Sequence, residues 1–151
     1  MNHITLNSPV GQISVFADED AIVALEFGKA TDGQGSPLVA EAATQLQAYF
    51  TGKLHQFDLP LAPAGTDFQR RVWNLMVEIP YGSSRSYGEL SRILKSSPRA
   101  VGGACARNPI AIMIPCHRVL AAGGAIGGYS GGVGTNAKRI LLNLEGHKEL
   151  S

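Results

Sequence analysis

The chain has 151 residues, 44% of them hydrophobic and 17% charged, with a formal net charge of +1. That length can bury a real core in one domain or two small ones, and the composition excludes a disordered chain. Wholly apolar runs such as Ile110 to Ile114 are far too short to cross a bilayer, and the opening MNHITLNSPVGQ lacks the basic start and long apolar stretch of a secretory signal.

Two cysteines, Cys105 and Cys116, make no disulfide framework and no Cys-x-x-Cys pair, so a structural zinc site is not expected. A reducing, cytoplasmic setting without membrane association follows. Charge is unevenly placed. Residues 1–66 hold two basic residues (Lys29, Lys53) against seven acidic ones, a net of −5, whereas residues 67–151 carry a net of +6. An acidic half joined to a basic half suggests that only the second meets a polyanion, although chance segregation in a two-domain chain accounts for it equally.

In chain order, the first segment reads as strands. Ile4-Thr5-Leu6 precedes a Ser8-Pro9-Val10-Gly11 turn, Ile13 to Phe16 follows, and Asp18-Glu19-Asp20 makes a polar corner. Val23, Leu25 and Phe27 alternate as a half-buried strand does. Ser36-Pro37 is an N-cap followed by proline at the first helical position, and Val39, Ala42, Leu46 and Tyr49 keep helical spacing until Gly52. Residues 53 to 65 form a connector ending Pro60-Leu61-Ala62-Pro63-Ala64-Gly65. It coincides with the change of charge, so the boundary falls between residues 62 and 63.

The second half reads as mostly helical. Thr66 and Gln69 fit a capping box, with Phe68, Val72, Leu75 and Ile79 on one face. Ser86 and Glu89 fit another, for a short helix from Tyr87 to Leu94. Ser97-Pro98 caps a third helix running to about Arg107, where Asn108-Pro109 stops it. Thr135 caps a last helix with Ala137, Ile140, Leu141 and Leu144 inward and Gly146 after it. This is an α+β chain: a small antiparallel sheet with one helix, then a mainly helical part.

Four stretches can carry chemistry. The two short capped helices joined by Lys95-Ser96-Ser97 suggest helix-turn-helix geometry. The second, Arg99-Ala100-Val101-Gly102-Gly103-Ala104-Cys105-Ala106-Arg107, holds two interior glycines, each costing about 1 kcal/mol against alanine. A helix of small residues flanked by arginines fits either a narrow minor groove or close packing against a helix of its own chain. In Ile114-Pro115-Cys116-His117-Arg118-Val119, an imidazole beside a thiol can take its proton, directly or through a water, while an inert buried cysteine is the plainer reading. The stretch GGAIGGYSGGVG, Gly123 to Gly134, lacks both phosphate-binding glycine patterns, which disfavours a nucleotide cofactor. Glu145 follows the last helix, where a carboxylate opposes the macrodipole unless something pairs with it; as the third member of a relay it would orient His117.

Together these strings resemble the O6-alkylguanine-DNA alkyltransferases, the methylated-DNA–protein-cysteine methyltransferases. The matching segments are Ser86-Tyr87, Pro98 to Ala104, Asn108-Pro109, Ile114 to Val119, Gly128 to Gly132 and Leu144 to His147, in the family's order. The Pro-Cys-His-Arg-Val string is the family's signature. The resemblance implies a winged-helix-like, helix-turn-helix catalytic domain over residues 63–151, behind a small sheet-and-helix domain over residues 1–62.

The resemblance also implies roles. Cys116 would be the alkyl acceptor, His117 its base through a water, and Glu145 the group holding the imidazole. Asn108 would brace the turn between the recognition helix and an active-site strand. Arg99 would fill the gap left by a flipped nucleotide, with Ala100, Gly102 and Gly103 along the DNA. Tyr87 would crowd the phosphate and donate to guanine N3. The Ser130 amide would donate to O6, the carbonyls of Cys116 and Val119 would accept from the exocyclic amine, and Tyr129 would wall the pocket. Cys105 stands where well-known relatives carry methionine. The expected activity is single-turnover repair, by a monomer, of O6-methylguanine and less well O4-methylthymine in double-stranded DNA, with no cofactor or metal. Three rivals remain: a non-catalytic lesion binder, disfavoured because Cys116 is present; a sequence-specific helix-turn-helix regulator; and a cysteine hydrolase, which lacks a separate leaving-group acid.

Overall fold

The computed structural model describes residues 2–31, 33–126 and 134–147. Strands β1 (Asn2–Ser8), β2 (Gly11–Ala17) and β3 (Ile22–Phe27) form an antiparallel sheet in that order. Period-two alternation in β2 sends Ile13, Val15 and Ala17 entirely into the core, beneath helix α1 (Pro37–Phe50). The third strand departs from the expected Val23, Leu25, Phe27 face. A register shift between Phe16 and Ala17 sets Ile22 opposite Ala17, so Ile22 and Leu25 are buried while Val23 and Phe27 are half-buried.

Helix α1 starts as its sequence dictates. Ser36 Oγ accepts from the Val39 amide at 3.3 Å, Pro37 opens the first turn, and Val39, Ala42, Leu46 and Tyr49 face inward. The connector then returns to the sheet: the Ile22 amide donates to Pro60 at 2.8 Å, and the Ala62 amide to Ile22 at 2.9 Å. Farther along β3 the Leu25 amide donates to Pro109 at 2.9 Å. Buried residues of both halves belong to one contiguous core.

Helix α2 (Asp67–Val77) has the capping box expected of Thr66 and Gln69. Its buried face is Val72, Trp73 and Met76, with Phe68 and Leu75 half-buried and Ile79 beyond the helix. The face is turned because α2 packs on helix α4 (Pro98–Ala106), where Trp73 Nε1 donates to the Ala104 carbonyl at 2.9 Å. Strand β4 (Arg85–Ser86) precedes helix α3 (Tyr87–Leu94) and pairs in parallel with β5 (Val119–Leu120). Helix α5 (Gly134–Leu144) begins one residue ahead of the Thr135 expected to cap it. No helix among the described residues is long and apolar enough to cross a membrane.

Candidate active site

Helices α3 and α4 form the expected two-helix unit. Ser86 Oγ accepts from the Glu89 amide at 3.0 Å and Glu89 returns the bond to the Ser86 amide at 3.1 Å. Lys95 ends α3 in the left-handed region (φ 55°), and Ser97 Oγ caps α4 through the Ala100 amide at 3.1 Å. Val101, Ala104 and Cys105 turn inward. Arg99, Ala100 and Gly103 are exposed and Gly102 is half-buried. Among the described residues, a Cβ added at Gly102 or Gly103 would meet nothing within 4 Å, so close packing against them does not explain these glycines.

After α4 the chain turns sharply toward Cys116. Asn108, itself buried, ties this turn together: Oδ1 accepts from the Ile110 amide at 3.0 Å, and Nδ2 donates to the Ile114 carbonyl at 2.8 Å. Inside the turn, Ile112 sits at φ 75° and the Met113 amide bonds back to Ala111 at 2.9 Å. For a β-branched residue such a γ-turn is strained by roughly 1–3 kcal/mol, held by the surrounding core. Asn108 braces the turn as expected, but Cys116 is not on a strand. Cys116–Arg118 is a 3₁₀ turn, in which the Arg118 amide donates to Pro115 at 3.0 Å; β5 begins only at Val119, whose amide donates to the Cys116 carbonyl. Proline at 115 has no amide with which to extend a ladder.

Beneath this turn lies a buried charge network. His117 Nε2 is 2.7 Å from Glu145 Oε2; Arg118 Nε donates to Oε1 at 2.9 Å, and Nη2 donates to Oε2 at 2.9 Å. Arg118 Nη1 also donates to the Ile79 carbonyl at 2.7 Å. These bonds are the pairing that offsets an acid at the end of α5. Burial alone would raise the Glu145 carboxyl, but hydrogen bonds from His117 and Arg118 and their charge hold it well below the usual carboxylate range. Burial keeps the His117 imidazole below its ordinary value, and the Arg118 and Lys138 charges act the same way against the Glu145 hydrogen bond. A neutral imidazole facing an ionised carboxylate carries its proton on Nε2, which leaves Nδ1 as the basic nitrogen. Nδ1 is buried and makes no hydrogen bond among the described residues.

The two sulfurs share one surrounding. Cys116 is 3% exposed, and Cys105 Sγ lies 3.5 Å from Met76 Sδ. Burial and the neighbouring Cys116 push the Cys105 thiol up to about 12, so it stays protonated. Burial, with Cys105 and Cys116 nearby, also pushes the Tyr87 phenol up to about 12. Lys138 of α5 is fully buried with its ammonium 5.7 Å from the Tyr87 ring centre, and burial lowers it to about 8 against the pull of both sulfurs. Tyr87 also lines a cleft of about 490 Å³ with Arg92, Arg99, Gly102 and Ala121; Cys116 is not on that cleft's wall.

The structure thus brings Cys116, His117, Glu145, Asn108, Tyr87, Cys105 and Val119 around one turn, with Arg99, Ala100, Gly102 and Gly103 on the face beside it. Tyr129 and Ser130 lie outside the described residues. Sequence reasoning missed Lys138, which sits among the inward positions of α5. It also missed Tyr49, whose hydroxyl donates to Glu145 Oε2 at 2.5 Å from the far half of the chain. Arg118, next to His117, is paired with Glu145.

A thiol, a buried imidazole and an anchored carboxylate behind a glycine-faced helix have the chemistry a cysteine-nucleophile site needs, beside a helix-turn-helix unit. Residues 1–63 match the model of the 6-O-methylguanine DNA methyltransferase ribonuclease-like domain, and residues 67–147 match that of the DNA-binding domain of the same methyltransferase. The chain is 42% identical to the methylated-DNA–protein-cysteine methyltransferase of Methanosarcina acetivorans, over 97% of this chain and 99% of that one. It is 51% identical to the Mycobacterium leprae protein of the same name, over 74% of this chain and 68% of that one. A crystal structure of Mycobacterium tuberculosis OGT in complex with DNA superposes with a TM-score of 0.86 at 42% identity, covering 96% of this chain and 92% of that one. The chain belongs to the 6-O-methylguanine DNA methyltransferase family.

Proposed function

We propose that this protein repairs alkylated DNA by moving the alkyl group of O6-alkylguanine, and less well that of O4-methylthymine, onto Cys116. The observation that carries this reading is the buried network in which His117 and Arg118, the two residues after the thiol, both bond to Glu145. His117 Nδ1 takes the thiol proton through one water. The sulfur forms a bond to the saturated carbon as that carbon's bond to O6 breaks, and the guanine leaves with the electron pair. Charge growing on the purine is met by the Tyr87 hydroxyl at N3 and, by resemblance, the Ser130 amide at O6; such donors contribute several kcal/mol in a dry pocket. The carbonyls of Cys116 and Val119 accept from the exocyclic amine, and Tyr129 and Cys105 complete the walls. The product is a thioether, so each molecule acts once.

The target carbon is hidden in the duplex, so the nucleotide must rotate out of the stack. A monomer places α4 in the minor groove, with Arg99 in the gap and Ala100, Gly102 and Gly103 against the backbone. Residues 63–151 form the catalytic domain and residues 1–62 its support, in a cytoplasmic, nucleoid-associated protein. Gly103→Ala separates stability from function on this reading. The added methyl meets no atom within 4 Å among the described residues and favours the helix, so stability rises by about 1 kcal/mol. Affinity for duplex DNA falls, because the space belongs to the nucleic acid. Urea unfolding and fluorescence anisotropy read the two effects, and unchanged affinity contradicts the placement of α4.

The direct test is intact-mass analysis after incubation with duplex DNA carrying O6-methylguanine. One methyl mass per protein is expected, mapping to Cys116 and absent in Cys116→Ala. No gain, or a gain that survives Cys116→Ala, overturns the proposal.

A further inference from the structure

Every group of the relay comes from the second half of the chain except one. Glu145 Oε2 accepts from His117 Nε2 at 2.7 Å, from Arg118 Nη2 at 2.9 Å and, at 2.5 Å, from the hydroxyl of Tyr49, which belongs to α1. Oε1 takes the remaining donors, Arg118 Nε at 2.9 Å and the Gly82 amide at 3.4 Å. Tyr49 is fully buried. Its ring is held from three sides: the Phe50 and Phe57 centroids each lie 5.3 Å away, and Tyr81 meets it edge-on at 6.1 Å. Tyr81 is itself fixed, stacked on His55 at 3.9 Å and bonded through its hydroxyl to the Leu144 carbonyl at 3.3 Å. The phenol therefore reaches Glu145 from a clamped ring. A phenylalanine would fill the same hydrophobic space, so packing does not call for the hydroxyl; burying it without an acceptor is unfavourable.

We infer that Tyr49 is a positioning residue for alkyl transfer, its hydroxyl aiming the Glu145 carboxylate at His117 and restraining that carboxylate's basicity. This rests on the reading of Cys116, His117 and Glu145 as a relay. Burial and the Glu145 charge push the Tyr49 phenol well above its ordinary range, so it remains a donor throughout the working pH range. Three donors on one carboxylate oxygen draw off its charge. The Nε2 proton then stays on the imidazole, and Nδ1 stays neutral and ready to accept. Without the phenol, Glu145 gains charge density, His117 binds a proton more readily, and the carboxylate is free to tilt. The small sheet-and-helix half thereby takes part in the chemistry it supports.

The test is Tyr49→Phe in the full chain, assayed in single turnover with free O6-benzylguanine and with duplex DNA carrying O6-methylguanine. The maximal rate is expected to fall about tenfold with both substrates, the loss of one hydrogen bond to a charged group. The half-saturating DNA concentration stays unchanged. The acid limb of the pH–rate profile moves up by about half a unit, because the imidazole has become more basic. Ser14→Ala is the control. Ser14 is buried in the sheet, donating to the Gly28 carbonyl at 2.8 Å and accepting from the Ala30 amide at 3.0 Å. Its loss lowers the Tm without moving the rate or the profile. A wild-type rate and profile in Tyr49→Phe overturns this inference alone, as does a slower rate on an unshifted profile that Ser14→Ala reproduces at equal Tm loss. A wild-type protein that gains no alkyl group at Cys116 overturns the relay reading as well.

Discussion

Glu145→Ala is expected to destabilise the protein by about 3–5 kcal/mol and to slow alkyl transfer by about 10²–10³-fold. The stability loss follows from what remains behind. Arg118 is buried and places two guanidinium nitrogens on the carboxylate. Removing one partner of a buried pair leaves an uncompensated charge, far more costly than the pair was stabilising. The Tyr49 hydroxyl and the His117 Nε2–H lose their acceptor in the same step. A loss of that size is a large share of a small protein's stability. The rate loss is separate, since the imidazole loses the group that orients it, and positioned bases contribute about 10²–10⁴-fold. The double variant Glu145→Gln with Arg118→Met distinguishes the two effects. Removing both charges restores at least half of the stability lost in Glu145→Ala, while the transfer rate stays low. Urea midpoints and single-turnover rates read the two separately; recovery of rate along with stability contradicts a role for the acid beyond the fold.

Arg99→Ala is expected to slow repair in duplex DNA by about 100-fold while leaving transfer from free O6-benzylguanine within about twofold. Arg99 is exposed at the first turn of α4 and lines the cleft with Tyr87, with no ion pair to another side chain among the described residues. Rotating a nucleotide out of the stack is unfavourable by a few kcal/mol, and each 1.4 kcal/mol of lost compensation is tenfold in rate. The free base needs no rotation, so it isolates the chemical step. Equal losses on both substrates contradict the finger role and point instead to a part in the chemistry.

Local chemistry made much of the fold legible. Both capping boxes, at Thr66–Gln69 and Ser86–Glu89, and the serine–proline starts of α1 and α4 stand where their residues predict, because a cap involves only four neighbouring residues. The α2 face was misread because tertiary packing chose Trp73 and Met76 over Leu75 and Phe68. The site was legible as a set of strings and not as a geometry. Nothing local brings Glu145 to His117, and periodicity assigns Tyr49 and Lys138 to helix faces without regard to the polar atom each carries inward. The γ-turn at Ile112 had no sequence signal, since a β-branched residue argues against it. The two glycines of α4 left open a neighbouring helix or a partner beyond the chain, and among the described residues nothing lies within 4 Å of where a Cβ would stand on either.

The closed margin of the small sheet has a consequence for anyone who would divide this chain. Backbone amides along β3 are spoken for by Pro60 and Pro109, and at the opposite margin the His3 amide donates to Gln34 at 3.0 Å. A fragment ending before residue 60 would keep the Gln34 contact but present Ile22 and Leu25 as a bare, apolar ladder, the kind of surface on which strands of separate molecules add to one another. The connector at Pro60 and the turn at Pro109 thus guard the sheet against aggregation, each covering part of β3.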